Sequence, residues 1–312
     1  MGPGAIALIA ATALAAAPGG GFWNETVSPH FVVRHEAPFL PPGFALRLEK
    51  IHNRLRMDLS MFSPWMAKER LKIYLYASRE SYAKGEFKPP AWSNGIAFRQ
   101  QKLVAVHNQP SLQKLVEVLG HETTHLLFES YWWERGGPPP QWLNEGLAMM
   151  EEIDDPRTPE RSDWFQAMSL LEPDKAMPVQ RFMEIRPTTD LQDQDKETVS
   201  LWYLQAYSLV HFLYREHSRL QFLNFCGRLR DGKELDSALW DVYRYRGAVE
   251  LDRAWRAWLA KPTTVARIRR YQRYSASPEE QAAPGQAKDG DGRAKLKGFG
   301  FKDFGFHSVQ QK

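Results

Sequence analysis

The segment Gly120-His-Glu-Thr-Thr-His restricts the fold more than any other stretch of the chain. On a helix, His121 and His125 lie one turn apart on the same face, so both imidazoles can reach one ion. Glu122 emerges about 100° round and reaches past that ion to a water. The flanking pattern supplies the helix. Ser111 suits an N-cap, and Leu112, Leu115, Val116, Leu119, Leu126 and Leu127 recur at helical spacing as far as about Trp132. Arg135-Gly-Gly-Pro-Pro-Pro breaks it, and Pro140 suits the first turn of a second helix through Trp142-Leu-Asn-Glu-Gly-Leu-Ala-Met-Met.

That second helix carries Glu145, 20 positions after His125. A helical hairpin with a loop of this length can return the carboxylate to the ion held by the two histidines. Two neutral imidazoles and one carboxylate leave a zinc ion with a net charge near +1 and an open fourth position for water. The lone cysteine, Cys226, excludes a multi-cysteine metal site and an intramolecular disulfide, so any bound metal must use His and carboxylate. Cys226 itself reads as a small apolar filler on a helix.

Before the histidine helix the periodicity is of another kind. Pro29-His-Phe-Val-Val-Arg-His reads as a strand, Gly43 to Phe62 as an amphipathic helix, and Leu71-Lys-Ile-Tyr-Leu-Tyr as a second strand. Ser93-Asn-Gly-Ile-Ala-Phe and Lys102-Leu-Val-Ala-Val-His read as two short strands around a polar turn. Beyond the metal helices, residues 153–198 are rich in Asp, Pro and Thr around one short helix from about Ser162, which predicts a surface excursion. Helices then resume at 200–216, 220–229, 235–243 and 249–260. The expected class is α+β: a small amino-terminal mixed sheet with a helix, then a mainly α-helical half carrying the zinc site.

Charge and hydropathy limit the partners. Forty-one basic against 37 acidic residues give a net charge of +4, too small an excess to carry a nucleic-acid footprint, so no nucleic-acid partner is expected. The basic run Lys261 to Tyr274 reads as a solvated helix face. Residues 5–17 form a 13-residue apolar run ending in small residues before Pro18, which suits a signal-peptide core and is too short for a comfortable membrane span. Export to a periplasmic or extracellular location follows as the expectation, with no stable span after removal. The polar stretch from Ser275 predicts a disordered tail, closed by Gly298-Phe-Gly-Phe-Lys-Asp-Phe-Gly-Phe. Oligomeric state has no signature in the sequence.

With His-Glu-x-x-His and Asn144-Glu-Gly-Leu-Ala at this separation, the chain resembles the gluzincin clan, which includes thermolysin and the zinc aminopeptidases. Over roughly residues 29–260 it resembles the bacterial, mostly exported peptidase-MA-like proteins. The further marks are Pro29-His-Phe-Val-Val, Leu71-Lys-Ile-Tyr-Leu and Tyr203-Leu-Gln-Ala-Tyr-Ser-Leu-Val-His-Phe-Leu. Together with the apolar run and the polar tail, the resemblance gives the expected organisation: a signal peptide over 1–21, a zincin-like peptidase domain over 22–274 with a sheet-rich half (22–110) and a helical half (111–274), and a tail over 275–312. It also implies one zinc ion per chain on His121, His125 and Glu145, a peptide or protein substrate, and hydrolysis with Glu122 as general base. Tyr203 would be the oxyanion donor, with Tyr207 as the second candidate, although tyrosines at this spacing also fit a core stripe. A zincin fold kept as a peptide or envelope-polymer binding module, with little turnover, is the alternative.

Two departures stand out. Thermolysin-like relatives carry an Asp one turn beyond the glutamate ligand, where this chain has Met149, which leaves Glu152 as a candidate to orient a histidine. The aminopeptidases carry an acidic residue in an edge strand, where Gly95-Ile-Ala-Phe-Arg-Gln-Gln-Lys is basic. A third histidine of the metzincin kind would fall at Tyr131, which excludes that branch.

Overall fold

The computed structural model describes residues 12–13, 23–90, 93–153, 158, 161–174 and 176–275. Apart from Thr12 and Ala13, the expected signal peptide lies outside these residues, as does the expected tail beyond Ser275. The described residues up to Glu134 form one compact unit and those from Arg135 a second. The class is α+β as expected, with a mixed sheet first and a mainly helical region after it.

In the first unit, strands β1 (Thr12–Ala13), β2 (Asn24–Val27), β3 (Phe31–His35), β4 (Leu71–Tyr76), β5 (Gly95–Phe98) and β6 (Leu103–His107) form one sheet in the order β1-β2-β3-β4-β6-β5. The pairs β3–β4 and β4–β6 are parallel, and the remaining pairs are antiparallel. Alternation along β3 and β4 buries Phe31, Val33, Leu71, Ile73 and Leu75 on one face, and the register puts Val104 opposite Ile73. The other face carries Ile96, Leu103 and Ala105 under Trp23, Tyr74, Phe87 and Phe98. β2 was not expected: Asn-Glu-Thr-Val has no apolar alternation, and it is a strand because it pairs with β3.

Helix α1 (Phe44–Leu59) starts after Gly43, whose φ of 77° is a left-handed conformation that glycine adopts without strain. It is pinned to the start of β3 by Glu49, which accepts from Ser28 Oγ at 2.7 Å and pairs with His30 Nδ1 at 2.6 Å. A short α2 (Arg79–Lys84) opens with a capping box on Ser78. The long α3 (Leu112–Trp133) packs on α1 and along β5 and β6. Ser111 caps it as its sequence predicts, accepting from the Lys114 amide at 3.1 Å. Midway, Ser63 Oγ donates to the Leu127 carbonyl at 2.6 Å.

The second unit holds α4 (Gln141–Met150), α5 (Asp163–Ala167), α6 (Val179–Glu184), α7 (Pro187–Asp190), α8 (Lys196–His211), α9 (Arg219–Arg230), α10 (Leu235–Tyr243), α11 (Ala248–Leu259) and α12 (Pro262–Ser275). Its most extensive helix pair is α4 on α8. Gly146 makes that approach close: a Cβ there would sit 2.5 Å from the Ala206 carbonyl oxygen and 2.5 Å from Val210 Cγ2. Gly146→Ala is therefore expected to cost about 1–3 kcal/mol by forcing the helices apart, and the shift in urea midpoint at constant slope measures it.

The segment 153–198 differs from its expectation as a surface excursion. Trp164, Phe165, Val179 and Phe182 are buried. Gln205 of α8 clamps Met177, accepting from its amide at 3.1 Å and donating to its carbonyl at 2.8 Å, while Asp252 of α11 accepts from the Val179 amide at 3.1 Å. These partners lie tens of residues away, so local composition does not reveal them. Cys226 is a buried filler on α9, as read, and burial raises its thiol pKa.

Candidate metal centre

α3 brings His121 and His125 together. Both rings are buried, with centroids 4.6 Å apart and Nε2 atoms 2.9 Å apart. Only one of two facing nitrogens can carry a proton. Two neutral imidazole nitrogens that face one another in this way could both donate to one divalent ion.

His121, His125 and Glu145 form a buried group that could hold a metal ion, one ligand atom of each lying within 4.8 Å of the others. Among the described residues it is the group of His, Cys, Asp and Glu side chains close enough to do so. Its donors, two imidazole nitrogens and a carboxylate oxygen, fit a borderline-soft divalent ion with a position left open.

Glu122 is buried beside the pair, and burial pushes its carboxyl up to about 7, with the His125 charge opposing the rise. Its neighbour across the packing surface is β5. A Cβ on Gly95 would stand 2.7 Å from Glu122 Cγ, so the strand backbone lies directly against this side chain. Gly95 was not among the residues picked from sequence. Its place follows from the register Gly95–Val106 and from α3 packing on β5, neither of which leaves a local mark.

On α8, Tyr203 and Tyr207 have different surroundings. Burial holds the Tyr203 hydroxyl well above its ordinary pKa, and the charge of Glu145 adds to the effect, so this phenol stays protonated in the field of that carboxylate. Tyr207 joins an aromatic cluster, stacked on Trp164 with centroids 6.3 Å apart and tilted to His211 at 5.8 Å. His211 is itself buried among rings, and burial lowers its pKa to about 3. Glu152 lies in the turn after α4, where it accepts from Trp164 Nε1 at 3.0 Å.

A sequence model described as the Peptidase MA superfamily matches residues 59–261, more than half of the chain and a span that includes every residue above. No curated protein matches the chain. Among the described residues, no helix is long and apolar enough to cross a membrane.

Proposed function

Because the chain belongs to the peptidase MA superfamily, we propose that it is a zinc-dependent peptidase of the gluzincin type, with His121, His125 and Glu145 as the metal ligands. The observation that carries this reading is the buried His-His-Glu group with a further buried carboxylate, Glu122, beside it. Zinc bound by three such ligands supplies Lewis acidity and makes water nucleophilic near neutral pH.

The remaining work falls to the chain's own side chains. Glu122 accepts the proton of the attacking water on a carboxylate oxygen, and the same oxygen then delivers it to the departing amine. The protonated phenol of Tyr203 donates a hydrogen bond to the oxyanion that develops on the carbonyl. At the sheet edge, β5 offers backbone groups for an extended peptide, with Gly95 removing the side chain that would hold that strand away from Glu122.

Protein purified with zinc in the buffer is expected to hold about one zinc per chain and to cleave members of a diverse peptide library. Replacing His121, His125 or Glu145 by Ala should each lower zinc content sharply by elemental analysis. Full occupancy in all three variants would refute the ligand assignment. Peptide binding without any cleavage would convert the reading to a binding module.

A further inference from the structure

β5 and the turn that follows it lie beside α3 and meet it at two points. At the first, Gly95 lies against Glu122. At the second, the Arg99 guanidinium sits over the Trp133 ring, 4.6 Å from its centroid. The two points lie on the same face and in the same order along both elements. Gly95 and Ala97 alternate onto one face of β5, Arg99 follows at the start of the turn after Phe98, and a rise of about 3.3 Å per residue puts it about 13 Å beyond Gly95. Eleven residues of α3 separate Glu122 from Trp133, about 16 Å at 1.5 Å per residue. Arg99 is thus anchored on α3 beyond Glu122, on the side of the sheet edge toward which an added strand would run.

Arg99 is also a cation in need of a partner. Its neighbour Lys102 is matched by Glu69 at 2.6 Å and covers Trp65. Among the described residues, by contrast, no carboxylate forms an ion pair with Arg99, and its contact is the aromatic face. A half-buried guanidinium already oriented by a ring loses little freedom on meeting a carboxylate, and its planar fork matches one bidentately. β5 is the terminal strand of the sheet order, so a peptide pairing with it would run past this group.

We propose that Arg99 is a specificity residue that selects extended peptides bearing an Asp or Glu side chain about four residues from the bond placed beside Glu122. The proposal rests on the peptidase reading for the location of that bond, and on β5 and Arg99 alone for the selection.

The test uses the full chain with zinc and a synthetic peptide library, acetylated and amidated at its ends to remove terminal charges. Wild-type protein is expected to favour Asp or Glu over Asn or Gln at one position about four residues from the cleaved bond, by about 10-fold in kcat/KM, the effect of one charge-assisted contact. Arg99→Gln should level that ratio, Arg99→Glu should turn it toward Lys, and Arg99→Lys should retain part of it. The same peptides titrated against Glu122→Gln protein should rank alike in Kd, so absence of cleavage would refute the peptidase reading while the ranking still judges Arg99. An acid preference that survives Arg99→Gln, none in either measurement, or one that appears only with a free carboxyl terminus would overturn the proposal.

Discussion

Glu122→Gln is expected to abolish measurable hydrolysis while leaving zinc content and melting temperature near those of the wild type. The substitution keeps the side chain's length and its ability to hydrogen-bond, and it removes only the capacity to take up and return a proton. Loss of a general base typically lowers turnover by about 100- to 10,000-fold. The fold should tolerate the change because the residue is buried and its carboxyl is already pushed up to about 7, so a neutral amide replaces a group for which ionisation is costly. Glu122 is not one of the three proposed ligands, which is why metal content should hold while His121→Ala loses it. Turnover on a peptide from the library, zinc by elemental analysis and a thermal melt decide the matter together. Wild-type activity in this variant would sink the assignment of the base; loss of zinc would make Glu122 a ligand instead.

Tyr203→Phe is expected to lower kcat by about 100- to 1,000-fold with little change in KM, the behaviour of a hydrogen bond made only as charge develops on the substrate. Tyr207→Phe should change kcat by only a few-fold. The asymmetry comes from their surroundings on α8. The Tyr203 phenol lies in the field of Glu145, whereas Tyr207 is stacked on Trp164 and tilted against His211, where the ring does the packing. Both variants should be measured on one substrate with their zinc content checked. A reversed order would hand the donor role to Tyr207, and two mild effects would return both tyrosines to the core.

Much of the first unit could be read directly. β3, β4, β5 and β6 appear where short apolar segments predict them, and α3 begins at the Ser111 cap. Among the elements not read from the sequence, β2 and the buried part of residues 153–198 owe their structure to partners elsewhere. β2 is a strand because β3 offers it a ladder, and the 170s are held by Gln205 and Arg256 from helices that follow much later.

The candidate site divides in the same way. The sequence alone determined the His121–His125 pair and the position of Glu122, because a helix converts a spacing of four into one face and a spacing of one into a turn of about 100° whatever surrounds it. The close packing of Gly146 on Ala206, the placement of Gly95 against Glu122, the different environments of Tyr203 and Tyr207, and the posting of Arg99 over Trp133 were decided only by the tertiary structure. Each depends on sheet register or on how one helix lies against another element. Those relations are set by the summed packing of residues distant in the chain, so no local pattern of residues encodes them.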